Sequence, residues 1–269
     1  MRKLTIWFGA LLFACLLTAE CGIAATGVIV ALNTSIDHIK KQFDTPTVFK
    51  AAGRTFFSGK VQGHPFVVVR SPMGKVNNAI TAQALLANPE VDTVFSIAPA
   101  GAVDSALNIG DTVIASNIRQ HDFGTIKPYG FIWNGVPEGM DRTTSGYHAS
   151  NKKLRKRFLE MNRPAFEGTV SEGTIVSGDQ FIASEKKKAW LARKFHALCV
   201  DTGAAAIAQT CHANKIQYLI VRIITDKAEI NARENFSATI RDNTEAWHAI
   251  IDCLLNMAMA VPPQSPPDF

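Results

Sequence analysis

What this sequence lacks excludes several classes of protein. Only five of its 269 residues are cysteines, and the three beyond the N-terminal apolar run (Cys199, Cys211 and Cys253) are too few for a disulfide scaffold. A single disulfide and buried free thiols are both compatible with that count. The chain has no Walker loop, zinc signature, G-x-S-x-G elbow or dinucleotide-binding glycine pattern. We therefore expect neither a metal nor a cofactor.

The chain also has only a small excess of positive over negative charge. The 28 lysines and arginines exceed the 23 aspartates and glutamates by a margin that gives a net charge of +5. This mild surplus is not the basic footprint of a nucleic-acid-binding protein. Basic runs at residues 152–157 and 186–188 fall in predicted helices, where they are typical of solvated helix faces. No nucleic-acid partner is expected.

One long apolar run is present, and it lies at the N-terminus. Two basic residues precede the apolar residues 4–19, and small residues up to Ala25 then offer a cleavage site. This pattern predicts a secretory signal peptide over residues 1–25, and a mature protein that is periplasmic or secreted. Lipidation at Cys15 is the second alternative. An uncleaved membrane anchor is the third, because the run is short for a transmembrane helix.

The rest of the chain predicts one α/β domain over residues 26–260. Short apolar segments alternate with helical periodicity, which favours a mainly parallel sheet covered by helices. The predicted strands are 28–32, 65–69, 93–97, 112–115, 169–176, 197–200 and 218–225. The predicted helices are 76–86, 150–161, 184–195, 204–214 and 244–259. Residues 121–147 are predicted to form a long loop, and the proline-rich residues 261–269 a disordered tail.

Short blocks of polar and small residues follow the predicted strands, where ligands bind in open α/β sheets. The most distinctive are S-G-D-Q-F-I at residues 177–182 and V-R-I-I-T-D at residues 221–226, with P-A-G-A-V at 99–103 after the third predicted strand. In their order and spacing these blocks resemble the nucleoside phosphorylase superfamily, and most of all its 5′-methylthioadenosine/S-adenosylhomocysteine nucleosidases. The resemblance implies a three-layer fold with a central mixed, mainly parallel sheet flanked by helices.

The same resemblance implies a site for a purine base or nucleoside. Asp226 would bond N7 of the base and act as general acid on the leaving group, because a departing purine must gain a proton. Phe181 would stack on the base, and the backbone of Ile182 would bond the base edge. The expected substrate-binding residues are Phe181, Ile182, Arg222, Thr225, Gly101 and Thr202.

The sugar end of the expected site departs from the family's pattern. Ser35 stands where the family has the glutamate that activates water, and Gly203 where it has the glutamate that clamps the ribose. Pro99 replaces the usual serine or threonine and has no donor. Asp201 is the carboxylate nearest to Gly203, but it would need a register shift to substitute. His38 lies one helical turn beyond Ser35, and we expect an ordinary surface histidine there.

Two functions are therefore open. The first is an exported purine nucleosidase with an altered sugar pocket, and the second is a purine- or nucleoside-binding protein that has lost hydrolysis. A structural or storage role is disfavoured because the base half is retained. Phosphorolysis is not expected, since the blocks supply no cluster of arginines and hydroxyls for phosphate. The resemblance also implies a homodimer in which residues 121–133 of one subunit close the pocket of the other.

Overall fold

The computed structural model describes residues 24–135, 151–161, 168–242 and 244–260, which form eleven strands and seven helices. The strands are β1 (Ala25–Val30), β2 (Thr47–Ala51), β3 (Arg54–Val61), β4 (His64–Arg70), β5 (Val91–Ala102), β6 (Thr112–Gln120), β7 (Gly124–Lys127), β8 (Gly130–Trp133), β9 (Val170–Ser177), β10 (Ala197–Asp201) and β11 (Gln217–Asp226). The helices are α1 (Asn33–Lys40), α2 (Lys75–Leu86), α3 (Lys152–Met161), α4 (Glu185–Phe195), α5 (Ala204–Ala213), α6 (Ala232–Asp242) and α7 (Thr244–Met259).

Nine strands form one mixed sheet in the order β10-β9-β6-β11-β5-β1-β4-β3-β2. Parallel pairing joins β4 to β1, β1 to β5, β5 to β11, β6 to β9 and β9 to β10. The other pairs are antiparallel, and one of them joins β10 back to β5. The strands β5, β11, β6, β9 and β10 therefore close into a ring. This closure brings together strand ends that are distant in the sequence.

Successive side chains of a strand point to opposite faces of the sheet, so the core is divided between these two faces. In β4, Val67 and Val69 belong to one apolar cluster, and Phe66 and Val68 belong to another. Helices α2 and α5 pack into the first cluster, and α1, α3 and α7 pack into the second. The outcome is the three-layer α/β fold, with a mixed and mainly parallel sheet, that the sequence predicted.

All seven predicted strands and all five predicted helices are present, with ends that differ by a few residues. Helix α7 has the predicted bounds, because its apolar stripe is unambiguous and its members are at most 2% exposed: Trp247, Ile250, Ile251, Leu254 and Leu255. The sequence did not predict β2, β3, α1 and α6. Strand β2 is exposed along nearly its whole length, so it lacks the apolar alternation that marks a half-buried strand.

The prediction of one long loop over residues 121–147 was wrong for its first part. Strands β7 and β8 pair as a hairpin, joined by a turn at Pro128 and Tyr129. Gly130, at the start of β8, has a φ of 128°, which suits a residue without a side chain. Residues 136–147 of that stretch lie outside the described residues. So do residues 1–23 of the predicted signal segment and the whole of the predicted tail, residues 261–269.

Cys199, Cys211 and Cys253 are free and buried. Burial raises the pKa of the Cys199 and Cys211 thiols, so these side chains act as small uncharged packing groups. Across the described ranges, the helices are all too short or too polar to span a bilayer.

Candidate functional site

The candidate site is a cavity of about 230 Å³ at the carboxyl ends of the central strands. Its walls come from the ends of β1, β4, β5, β10 and β11, from α2, from residues 180–182 and from α6. The structure brings together in this cavity all the residues that the resemblance assigned to catalysis and binding: Asp226, Phe181, Ile182, Arg222, Thr225, Gly101 and Thr202. They come from four separate segments of the chain. The closed ring of strands brings these segments next to one another.

Gly101 is the point at which the strands of the site meet. In β5 it pairs with Asp226 of β11 on one side and with Val200 of β10 on the other. A Cβ atom at position 101 would lie 2.7 Å from Oδ1 of Asp226, which is closer than real Cβ atoms approach. Glycine at this position therefore keeps the carboxyl group of Asp226 in place at the cavity wall.

Asp226 is held as a buried carboxyl group. Its side chain is almost inaccessible, with Oδ1 accepting a hydrogen bond from the amide of Ala228 at 2.9 Å. Its Oδ2 lies 3.1 Å from the hydroxyl of Thr225. Burial raises the pKa of the Asp226 carboxyl, and this effect outweighs both hydrogen bonds and the positive charge of Lys188. The group is therefore tuned to hold a proton at higher pH than an exposed aspartate, as a general acid requires.

Aromatic side chains form the wall next to this acid. The rings of Phe181 and Phe236 meet edge to face, with their centres 5.9 Å apart and their planes at 87°. The guanidinium of Arg233 lies 5.5 Å from the centre of the Phe181 ring. Ile182 is buried beside them. The face of an aromatic ring such as that of Phe181 is suited to stacking against a planar base.

Arg222 and Asp201 form a buried ion pair, with Nε of the arginine 2.6 Å from Oδ2 of the aspartate. The same Oδ2 accepts from the amide of Ala204, and Oδ1 accepts from the hydroxyl of Ser177 at 2.5 Å. Nη1 of Arg222 donates to the β5 backbone at Ser96. Both residues line the cavity, but their bonds join β5, β9, β10 and β11 to one another. Asp201 is therefore not free to replace a carboxylate at position 203.

Around Gly203, where the resemblance places the sugar, the described residues that line the cavity include no carboxylate other than the paired Asp201. Gly203 and Pro99 line the cavity, whereas Ser35 is buried in α1 and is not part of the lining. In the described part of the chain, the cavity contains two carboxylates, Asp201 and Asp226. The first is bound to Arg222, and the second lies beside Phe181 and Gly101. Apart from Asp226, the described residues that line the cavity therefore include no carboxylate without a cationic partner.

His38 lies outside the cavity. Its Nε2 is 2.7 Å from Oδ1 of Asp252 on α7, and its ring stacks on His248 with the centres 3.9 Å apart. Gln42 donates to the same Asp252 oxygen. The histidine is therefore part of the packing between α1 and α7. It is partly buried and paired, and does not have the free surface position that the sequence suggested.

Sequence reasoning missed other lining residues, among them Asn78 and Phe236. Asn78 belongs to the segment M-G-K-V-N-N at residues 73–78, which follows β4, and a place just after a strand was the available signal. Phe236 lies on α6, which the sequence did not predict. The hydroxyl of Thr239 in α6 donates to the carbonyl of Thr225 at 2.9 Å, and this bond anchors the helix over the end of β11.

Comparison with known proteins agrees with this geometry. A model of the phosphorylase superfamily matches residues 25–256. The 5′-methylthioadenosine/S-adenosylhomocysteine nucleosidase of Staphylococcus epidermidis is 29% identical over 235 residues, which cover 85% of this chain and 99% of that protein. The nucleosidase of the same description from Staphylococcus aureus is 26% identical over 231 residues, covering 86% and 98%.

Solved structures give the same result. The 5′-methylthioadenosine/S-adenosylhomocysteine nucleosidase of Neisseria meningitidis in complex with methylthio-immucillin-A superposes with a TM-score of 0.77 at 25% identity, covering 88% of this chain and 100% of that one. Futalosine hydrolase of Helicobacter pylori has a TM-score of 0.77 at 23% identity, covering 87% and 98%. The second likeness shows the fold alone.

The raised pKa of Asp226 predicts a pH-dependent effect on stability. The folded protein holds this proton more tightly than the unfolded chain, whose aspartates titrate at about 3.9. The wild type therefore loses stability as pH rises from that value through the folded pKa. Asparagine does not titrate, so the melting temperature of Asp226→Asn minus that of the wild type should increase over the same pH range. The control Asp242→Asn, which removes an exposed carboxylate from α6, should show no such increase. A flat difference for Asp226→Asn would contradict the prediction.

Proposed function

The chain belongs to the phosphorylase superfamily, and we propose that it is an exported purine nucleosidase that hydrolyses the N-glycosidic bond of adenosine-type nucleosides such as 5′-methylthioadenosine. The observation that carries this proposal is the buried carboxyl group of Asp226 in one cavity with the ring of Phe181. The nucleosidases among its relatives support the reaction class.

The residues at the base end suit the chemistry of this reaction. Hydrolysis breaks the bond between C1′ of the sugar and N9 of the purine, and water adds its oxygen to C1′. Asp226, whose pKa is raised by burial, would donate a proton to N7 and so neutralise the departing base. Phe181 would hold the plane of the base by stacking, and the backbone of Ile182 would bond its edge. A general acid of this kind contributes about 10²–10⁴-fold in rate.

A second candidate function is the binding of a purine or nucleoside without turnover. The observation that favours it is the absence, from the described residues, of an uncommitted carboxylate at the sugar end of the cavity. A carboxylate base and a ribose clamp each lower a barrier by a few kcal/mol, so losing both could cost about 10⁴-fold in rate. In either case Arg222 is bound within the protein, which disfavours a phosphate site and hence phosphorolysis.

Adenine release tests the proposed activity. The mature protein should release adenine from 5′-methylthioadenosine, S-adenosylhomocysteine or adenosine, as followed by chromatography, and added phosphate should not accelerate the release. Asp226→Asn should lower the rate by about 10²-fold or more, because the leaving base loses its proton donor. His38→Ala should have little effect, since His38 lies outside the cavity.

Two outcomes would contradict the assignment. If Asp226→Asn and His38→Ala lower turnover equally, the site has been misplaced. If the wild type releases no adenine but binds it saturably in calorimetry, the second candidate function replaces the first.

Export is the other part of the proposal, and the N-terminal pattern supports it. The basic pair, the apolar run and the small residues all precede the first strand, and the family match begins at residue 25. The amide of Ala25 donates to the carbonyl of Glu90 at 2.7 Å, so cleavage after Ala25 would remove the first bond of β1. Cleavage just before Ala25 would preserve it.

We predict that the mature protein begins at Ala25 or Thr26. It should be recovered from the periplasm or the medium, and its intact mass should lack the preceding residues. A variant without residues 4–19 should stay in the cytoplasm and should not be cleaved. Recovery of an acylated N-terminus at Cys15 would indicate a lipoprotein, and a retained Met1 would indicate an uncleaved anchor. Either result would reject the proposed cleavage.

A homodimer is the assembly that we propose, and exposed apolar side chains support it. Ile126 and Tyr129 on the β7–β8 hairpin are about four-fifths exposed, and Val76 on α2 is 69% exposed. Nζ of Lys75, the first residue of α2, lies 2.7 Å from Oδ1 of Asp122, directly before the hairpin. The hairpin and α2 therefore meet beside the cavity. Apolar side chains exposed in this way are typical of a protein–protein interface.

Small-angle scattering or sedimentation equilibrium should give a mass of two mature chains. Replacing Ile126 and Tyr129 with serine should shift the equilibrium toward the monomer, because apolar area would no longer be buried between subunits. The control Ile230→Ser removes an equally exposed side chain that lies elsewhere in the sequence, after β11. A monomeric mass for the wild type at micromolar concentration would end the dimer proposal.

A further inference from the structure

The side chain of Asn78 occupies the space next to Gly203. A Cβ atom added at position 203 would lie 2.6 Å from Cγ of Asn78 and 2.7 Å from both its Oδ1 and Nδ2. The backbone at Gly203 has φ −144° and ψ −27°, so its negative φ does not itself call for glycine. Glycine is therefore required here by the carboxamide of Asn78, which takes the volume that a side chain at 203 would fill.

The orientation of that carboxamide follows from its partners. Nδ2 of Asn78 donates to the carbonyls of Gly74 at 2.8 Å and Pro72 at 3.2 Å. The flipped amide would place Oδ1 against two carbonyl oxygens, which no hydrogen bond could stabilise. Within the described residues, Nδ2 thus has two protein partners, whereas no protein donor reaches Oδ1. Asn78 begins the second turn of α2, and its amide donates to Gly74 as well, so the side chain is rigidly placed.

Asn78 lines the cavity on a different wall from the catalytic acid. It is 8% exposed and lies against the turn between β10 and α5, at Gly203. Asp226 and Phe181 lie on the wall made by β11 and by the segment before α4. A purine stacked on Phe181 with N7 at Asp226 would leave the rest of its nucleoside to meet the other walls. There Asn78 offers a neutral acceptor beside Pro99 and Gly203, which have no side-chain acceptor. The hydroxyl of Thr202, which also lines the cavity, accepts a hydrogen bond from the amide of Gly74 at 3.4 Å.

We propose that Oδ1 of Asn78 accepts a hydrogen bond from a ribose hydroxyl, so that Asn78 determines the specificity of the cavity for nucleosides over free bases. This inference rests on the proposed function, in that it takes the cavity to be a purine-nucleoside site. A buried acceptor selects for a hydroxyl because a ligand without the hydroxyl leaves the acceptor unpaired. Being uncharged, the amide recognises the sugar without the electrostatic attraction that a carboxylate would give to a cationic sugar.

The test measures binding of adenine and of three C-nucleoside analogues of adenosine, whose carbon–carbon glycosidic bond cannot be hydrolysed. The first analogue has both ribose hydroxyls, the second lacks the 2′-hydroxyl and the third lacks the 3′-hydroxyl. Calorimetry on the wild-type mature protein should show that removing one of the two hydroxyls weakens binding about tenfold. Asn78→Ala should bind adenine as the wild type does and should no longer distinguish that pair of analogues.

Asn77→Ala is the matched control. Asn77 is the preceding residue of α2 and bonds Arg54 and the carbonyl of Met73, but it does not line the cavity. This variant should keep the wild-type discrimination. If Asn78→Ala does not fold, Asn78→Leu takes its place, because leucine fills a similar volume and has no acceptor.

Each other outcome overturns the inference. If the wild type binds all three analogues equally, no hydroxyl is recognised. If the same discrimination persists after Asn78 is replaced, another group recognises the hydroxyl. If the wild type binds neither adenine nor any analogue, the proposed function itself fails, and that result is distinct from the other two.

Discussion

The buried ion pair between Asp201 and Arg222 is the interaction on which the rest of the site depends. It joins β10 to β11 in the interior, and the same carboxylate accepts bonds from Ser177 at the end of β9 and from the amide of Ala204 at the start of α5. A buried pair adds little net stability, because both charges lose their hydration, but breaking it by removing one partner costs about 3–5 kcal/mol. Its effect is therefore to constrain the ends of these strands to one arrangement.

This constraint decides what each carboxylate of the cavity can do. Both carboxylate oxygens of Asp201 accept hydrogen bonds from Arg222, Ser177 and the amide of Ala204, so this group holds the strands together. Asp226, two strand pairings away across Gly101, has no cationic partner as close, and burial raises the pKa of its carboxyl. Two aspartates in one cavity thus have opposite roles because one has an arginine beside it and the other does not.

The two ends of the cavity consequently differ in chemistry. The end near Asp226 has an aromatic wall and a buried carboxyl group, which under the proposed function would serve the departing purine. The end near Gly203 has Pro99, Gly203 and the carboxamide of Asn78, all of them uncharged. Under the same proposal, this end would contribute less to a sugar cation than one with carboxylates. The proposals of hydrolysis and of binding without turnover differ in how much that loss costs.

The sequence by itself determined the layers of the fold and predicted residues that the structure places together in one cavity. Continuous apolar runs such as 218–221 identify buried strands, and the stripe of α7 identifies a packed helix. The blocks that contain Phe181 and Asp226 carry the resemblance to a family. Strand β2 was missed because it is exposed, and α1 because its eight residues carry only two apolar positions, Ile36 and Ile39. Only the tertiary structure decided that Asp201 forms an ion pair with Arg222 and that the side chain of Asn78 occupies the space beside Gly203. Residues 78 and 203, like 201 and 222, are distant in the chain, and their contact arises from strand closure and helix packing that no local pattern encodes.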